Sequence, residues 1–331
     1  MNTSSFPSLL QRFFTERMRG QLSASSHTVA GYRDTFRLLL RFAAERLGRE
    51  PSELRLEELD ASFLEKFLEN LEVQRGNCTR TRNNRLSALH AFIRYVALSE
   101  PALALHCQRI LAIPAKRYER SPVEFLTEEE TAAIVTAPNP NSWIGRRDRT
   151  LLLVAVQTGL RNSEISSLRR QDVEFGTGPH VRCLGKGRKT RCTPLRPDVA
   201  AALKEWLLEQ DGDPGRPVFP NSQGRRLSSD AIQRLVARHV ATARRACPSL
   251  TEKTVTPHTL RHTLAMDLLR RGVDLSVIAL WLGHESIETT QIYIHADMRL
   301  KEKALAHATS SGLVPSRFHP RDPLLSFLES L

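Results

Sequence analysis

The chain has 331 residues, 40% of them hydrophobic, enough apolar material for one large domain or two ordinary ones. It has no run of about 20 apolar residues, and its start, MNTSSFPSLLQRFF, lacks the basic-then-apolar order of a secretory signal; a membrane span is not expected, and a cytoplasmic protein is. With 48 Lys and Arg against 36 Asp and Glu, the net charge of +12 favours a polyanionic partner, most often nucleic acid.

Apolar spacing predicts four helices in the first ~115 residues. Leu9, Leu10, Phe13, Phe14 and Met18 share one face of the first, which GQLSASS ends. Tyr32, Phe36, Leu39, Leu40 and Ala43 mark the second, and Asp60 caps a third carrying Leu64, Phe67, Leu68 and Leu71. The fourth follows Arg75-Gly76-Asn77 and carries Leu86, Leu89, Ile93 and Ala97. Its first turns hold Arg80, Arg82, Asn83, Asn84 and Arg85, side chains suited to phosphates and base edges; a solvated basic face is the alternative at even weight.

Residues 114–125, PAKRYERSPVEF, read as a basic linker in which Lys116 and Arg117 are candidates for the DNA backbone. This divides the chain into a helical domain at 1–113, the linker, a second domain at 126–310 and a tail at 311–331. The second domain opens with Thr127 and Glu130 at capping-box spacing. The helix RRDRTLLLVAVQTGLR stops at a Thr-Gly turn, and three short strands follow: DVEF, HVRCL and TRCTPL. The last two flank the glycine-rich loop GKGRK. A helix from about Pro197 to Gln210, a loop, and further helices complete a mainly α chain with one small antiparallel sheet. Five scattered cysteines lack zinc spacing; Cys183 and Cys192 can face each other across the hairpin, but all five are expected as free thiols.

Four stretches of the second domain carry chemical groups. TGLRNSEI holds Arg161 and, one turn on, Glu164; LGKGRKTR puts Lys186 between two glycines, with Lys189 as a weaker rival. In VTPHTLRHTLA, Thr256 caps a helix with Pro257 at its first position, so His258 and Arg261 share a face near its positive end. His284 in LGHES precedes Tyr293 by nine residues. Singly, each has a bland alternative: a surface ion pair, a solvated lysine, a polar pair, a core tyrosine. Together, two arginines suit the non-bridging oxygens of a phosphodiester, a tyrosine hydroxyl can attack phosphorus, and histidine and lysine can move protons. No carboxylate cluster points to a metal pair, so no metal and no cofactor is expected.

The order Arg, Lys, His-x-x-Arg, His, Tyr, carried by TGLRNSEI, LGKGRKTR, HTLRHTLA, LGHESIETT and IYIH, resembles the tyrosine recombinase family, its Xer-like branch above all. TRNNRLSALHAFIRY resembles the last helix of that family's SAM-like core-binding domain, so the likeness spans about residues 5 to 310. It implies a DNA breaking-rejoining fold in the second domain. It implies that Arg161 and Arg261 clamp the scissile phosphate, Lys186 protonates the leaving 5′ oxygen, His258 assists proton transfer at the tyrosine, and His284 binds phosphate oxygens. Tyr293 would be the nucleophile, Glu164 a support, and His262 and His295 supporting or structural. The implied reaction passes through a 3′-phosphotyrosyl link without metal or ATP. Four protomers would act on two double-stranded DNA sites with inverted-repeat cores, through a Holliday junction, at the nucleoid. The apolar tail RDPLLSFLESL would dock on a neighbouring protomer. Two rivals stand beside this: a type IB topoisomerase, and a DNA-binding regulator that has lost catalysis. IYIHADMRLKEKAL favours a mobile-element recombinase within the family.

Overall fold

The computed structural model describes residues 5–119, 123–185, 190–210, 212–284, 286 and 288–296, with side chains as far as Tyr293. Lys186, Lys189, the side chain of His295 and the tail at 311–331 therefore lie outside the described residues. The chain divides into two compact units at 120/121, within the stretch read as a linker.

The first unit is helical. Helix α1 (Phe6–Arg12) is capped by Ser5 and runs on as a π-helix over Phe13–Gln21. The spacing explains the change of winding: Phe13 and Met18 are five residues apart, and the wider turn keeps both buried. Then come α2 (Ser26–Leu47), α3 (Ala61–Val73) and α4 (Thr79–Ser99). Asp60 caps α3 as expected, its carboxylate accepting from Phe63 N at 2.7 Å. A fifth helix, α5 (Ala104–Leu111), was not expected; two turns are too short for a periodic stripe, and Pro101 reads as a stop. Cys107 and Ile110 bury its inner face. Phe6, Phe13, Phe36 and Phe92 meet edge to face in the core of this unit.

The second unit carries α6 (Glu128–Thr136), α7 (Trp143–Thr158) and α8 (Asn162–Ser167). A sheet follows of β1 (Val173–Glu174), β2 (His180–Leu184) and β3 (Thr190–Pro194), antiparallel in that order. The rest is α9 (Pro197–Leu208), α10 (Ser229–Ala243), α11 (Pro257–Arg270), α12 (Leu275–Leu282) and α13 (Glu288–Ala296). The mainly helical architecture with a small antiparallel sheet agrees with the sequence reading.

The β2–β3 register separates the two hairpin cysteines. Cys183 pairs with Arg191 and Cys192 with Arg182, so the thiols point to opposite faces, one buried and one exposed. The same alternation turns Arg191 inward beside Cys183. Asp148 on α7, fully buried, accepts from Arg147 beside it and from Arg238 (2.6 Å) and His239 (2.8 Å) on α10. Glu130 similarly ties α6 to Lys253 at 2.6 Å and Ser249 at 2.7 Å.

Candidate active site

Two turns bring the arginines together. Helix α7 ends at Gly159, which is left-handed (φ 62°); a Cβ there would approach Leu264 Cδ2 to 2.8 Å and Leu282 Cδ2 to 2.9 Å. Arg161 follows as the N-terminal cap of α8. Helix α12 ends at Gly283, also left-handed (φ 64°). Its last carbonyls lack partners in the helix and carry the negative end of its dipole. Arg261 Nη2 donates to Leu282 O and Arg161 Nη2 to Gly283 O, each at 2.6 Å, while Arg261 Nη1 donates to Gly159 O at 2.6 Å. Three elements far apart in the chain thus hold both guanidiniums at one place.

Glu164 holds this arrangement from beneath. Its buried carboxylate accepts from Arg161 N (2.7 Å) and Nη1 (2.9 Å), and from Arg191 Nη1 (2.8 Å) and Nη2 (2.7 Å). Burial works against its ionisation, but the bonds from Arg191 and Arg161 outweigh it and hold the carboxyl below the usual range. Arg191 was missed in the sequence. Its signal was its parity with Cys183 on a strand pair whose inner face is buried.

Arg261 is pushed down to about 10, first by burial and then by the Arg161 charge. A guanidinium under that pressure gains strongly from an anion placed beside it. His284 follows the Gly283 reversal and hydrogen-bonds through Nδ1 to Thr290 Oγ1 at 2.8 Å, on the fully buried Thr290 of α13. Burial, then Arg261 and Arg161, bring His284 down to about 4. His258 lies on the first turn of α11, exposed at the surface; partial desolvation, with Arg261 and Arg161 near, lowers its pKa too.

Tyr293 is 1% exposed, packed in α13 within a small core that includes Leu264, Met266 and Leu282. Its hydroxyl lies 2.9 Å from Nδ1 of His262, and burial pushes its pKa up to about 12. The sequence reading assigned proton transfer at the tyrosine to His258; among the described residues, the histidine hydrogen-bonded to Tyr293 is His262. The two histidines are one turn apart on α11 and their rings stack at 6.3 Å. His262 is half-buried and brought down to about 4 by burial, His258 and Arg261.

In the first unit, part of the basic start of α4 turns inward. Arg82 is 5% exposed and donates to Pro114 O at 2.9 Å, while the Asn83 side chain donates through Nδ2 to Lys116 O and accepts through Oδ1 from Lys116 N. Lys116 Nζ meets Glu72 at 2.6 Å, and Arg85 Nη1 donates to Gly31 O and Thr35 Oγ1. Arg82 and Asn83 therefore tack the segment at 114–116 onto α4. Arg80, Asn84 and Arg117 are exposed. Arg85 also lines a groove with Arg37, Arg41 and Arg75, three arginines that the sequence reading passed over.

Residues 124–299 match the phage integrase family, and residues 10–99 match the phage integrase N-terminal SAM-like domain. The protein y4rC of Sinorhizobium fredii, whose name assigns it provisionally as an integrase/recombinase, is 52% identical over 99% of both chains. Tyrosine recombinase XerC of Pelobacter propionicus is 32% identical over 88% of this chain and 92% of its own. Among solved structures, the Tn1549 transposon integrase in complex with circular intermediate DNA is similar with a TM-score of 0.68, at 18% identity over 90% of this chain and 98% of the other. XerH site-specific recombinase bound to palindromic difH substrate is similar with a TM-score of 0.66, at 23% identity over 89% of this chain and 83% of the other. In helical architecture, in the order of its arginines, histidines and tyrosine, and in sequence along almost its whole length, the chain belongs to the phage integrase family and is a tyrosine recombinase.

Proposed function

We propose that this protein cleaves and rejoins duplex DNA at specific sites through a 3′-phosphotyrosyl intermediate on Tyr293, in the integration, excision or transposition of a mobile element. The observation that carries the reading is the pair of arginines, Arg161 and Arg261, tied to the consecutive carbonyls of Leu282 and Gly283, ten residues before the tyrosine. Two cations at one point suit a phosphodiester whose non-bridging oxygens gain charge during attack.

Arg161 and Arg261 hold those oxygens, with His284 as a further donor steadied by Thr290. His258, exposed on the same side of α11 as Arg261, adds a contact to the phosphate. Lys186 protonates the leaving 5′ oxygen. The 5′ hydroxyl of a partner duplex then attacks the phosphotyrosyl bond, so the bond energy is kept and no ATP is consumed. The guanidiniums supply the charge for which other phosphoryl-transfer sites use metal ions. In the conformation described here the Tyr293 hydroxyl is covered, so DNA engagement has to uncover it.

The DNA partner is supported by the net charge of +12 and by the groove lined by Arg37, Arg41, Arg75 and Arg85. Arg80, Asn84 and Arg117 are exposed and remain candidates for DNA contact in the same reading. Inverted-repeat core sites and a tetramer on two of them belong to the same reading, as does residence at the nucleoid. The 52% identical integrase/recombinase relative supports the mobile-element role.

The test is covalent trapping. Duplexes recovered from a random pool by binding to the Tyr293→Phe protein are synthesised with a nick near the cleavage point. Wild-type protein should form a denaturant-stable adduct, and Tyr293→Phe should form none. Tight binding with no adduct would favour the catalytically silent DNA-binding regulator.

A further inference from the structure

We propose that Arg191 is a positioning residue for strand cleavage: it takes up the charge of Glu164, so that the charge of Arg161 is left for the phosphate. This rests on the reading of Arg161 and Arg261 as the phosphate clamp.

The geometry divides the work among three arginines. Arg161 and Arg261 are fixed by main-chain carbonyls, those of Gly283, Leu282 and Gly159, which orient a guanidinium without cancelling its charge. Arg161 gives Glu164 only one side-chain bond, through Nη1. Arg191 turns both its Nη atoms to the two Glu164 oxygens, at 2.8 and 2.7 Å, in the two-pronged fork that suits a carboxylate. Its guanidinium lies against Gly283, the residue whose carbonyl Arg161 holds: a Cβ there would meet Arg191 Nη1 at 2.8 Å.

The charges follow from these contacts. Burial, then the neighbouring positive groups, keep His258, His262 and His284 neutral at pH 7. Three guanidiniums and one carboxylate then leave two positive charges for a phosphodiester whose oxygens gain charge during attack. Without Arg191, Glu164 would pair with Arg161 alone and one positive charge would remain, in a place where water screens little. The arginines themselves show the division. Burial works to lower Arg191, but Glu164 outweighs it and holds the guanidinium above its usual range. Arg261, with no carboxylate bonded to it among the described residues, is pushed down. Stability alone does not account for Arg191. Its Nε is buried without a partner among the described residues, a cost that an apolar side chain would avoid.

The test uses the full chain and the nicked, binding-selected duplex, with adduct formation followed by single turnover at saturating DNA. We expect Arg191→Gln to slow the adduct about 30-fold, as a weakened clamp on the transition state should. Its DNA affinity should stay within about threefold of wild type, because phosphates bound elsewhere carry most of it. Arg191→Lys keeps the charge and should recover to within about fivefold of the wild-type rate. A methylphosphonate at the mapped cleavage position removes one charge from the reacting group. On that duplex the Arg191→Gln defect should shrink to within about threefold of wild type, since less charge needs a counterpart. Glu164→Gln combined with Arg191→Gln removes both charges, which is milder than removing one, and should be about tenfold faster than Arg191→Gln. Melting temperatures are measured for every variant and rates compared below them. If Arg191→Gln does not fold, the double variant decides by its rate against wild type, within about tenfold for the proposal and slower against it. An Arg191→Gln rate within threefold of wild type would overturn the proposal. So would an Arg191→Lys as slow as Arg191→Gln, a defect of equal size on phosphate and methylphosphonate, or a double variant no faster than Arg191→Gln. If wild type itself forms no Tyr293-dependent adduct, the recombination reading fails and takes this proposal with it; if only the Arg191 outcomes fail, that reading stands.

Discussion

Glu164 accepts four hydrogen bonds on two carboxylate oxygens, and every donor belongs to Arg161 or Arg191. The carboxylate is 4% exposed, so it cannot be replaced by water when it is removed. Glu164→Gln puts an amide N–H against a guanidinium and leaves Arg161 and Arg191 short of one negative charge. Breaking a buried pair in this way costs about 3–5 kcal/mol. The exposed pair Arg146–Glu209, also two-pronged at 2.8 and 2.9 Å, provides the contrast. Glu209→Gln should cost under about 1 kcal/mol, because water screens and substitutes for it. Urea denaturation of both variants checks the gap, and equal losses would mean that burial does not set the worth of Glu164. The candidate arginines, histidines and tyrosine were legible as a set through the order in which they resemble the family, and the structure brings Arg161, Arg261, His284 and Tyr293 into one region. Their partners were not, since Arg191 and Thr290 come from separate elements and nothing local announces them. Arg82 lies in register with Leu86, Leu89 and Ile93 on the buried stripe of α4, so helical spacing places it inward despite its charge.

At the scale of elements, the site depends on how α12 ends. A left-handed Gly283 turns the chain so that Leu282 O and Gly283 O face the arginines and His284 turns back toward Thr290. A Cβ at Gly283 would meet Arg191 Nη1 at 2.8 Å and Cζ at 3.1 Å. That guanidinium is locked onto Glu164 and cannot swing aside without breaking the pair. Gly272 is the control: it is also left-handed (φ 82°), but a Cβ there meets nothing within 4 Å. Gly272→Ala should cost about 1 kcal/mol of backbone strain. Gly283→Ala should add the clash, for about 2 kcal/mol or more, and should slow adduct formation as well. Thermal melts of the two variants compare them directly; equal shifts would show that Arg191 yields easily. Helix caps were the most readable feature at this scale. Asp60, Thr127 and Thr256 were expected and each accepts the backbone bond of its helix. The short α5 and the π-winding of Phe13–Gln21 were not, because both depend on how much core lies beneath them.

At the scale of the molecule, the chain forms two units with separate cores, divided within a proline- and charge-rich stretch. The distribution of charge inside the second unit was not legible in the sequence, and it sets how that unit responds to acid. His258, His262 and His284 are all held below the ordinary histidine range, the last two near 4. Asp148, Glu130 and Glu164 are held below the carboxylate range, because hydrogen bonds from basic partners outweigh burial. The sign is the same for both sets. Between the unfolded histidine pKa of about 6.5 and the folded value near 4, the unfolded chain binds protons that the folded chain refuses, so stability falls as pH falls. Below about 4 the unfolded carboxyls take up protons before the folded ones do, and the loss continues in the same direction. The three tryptophans of the chain, Trp143, Trp206 and Trp281, all lie in the second unit, so their fluorescence follows its unfolding alone. The fluorescence-detected melting temperature should change little from pH 8 to 7, decline from pH 6.5 to 4.5, and decline further below 4. Replacing His262 by Asn should shallow the first decline and leave the second. A melting temperature that holds level or rises between pH 6.5 and 4.5 would mean that these histidines are no harder to protonate in the folded protein than in the unfolded chain. Neutral imidazoles at pH 7 would then need another explanation than burial beside two arginines.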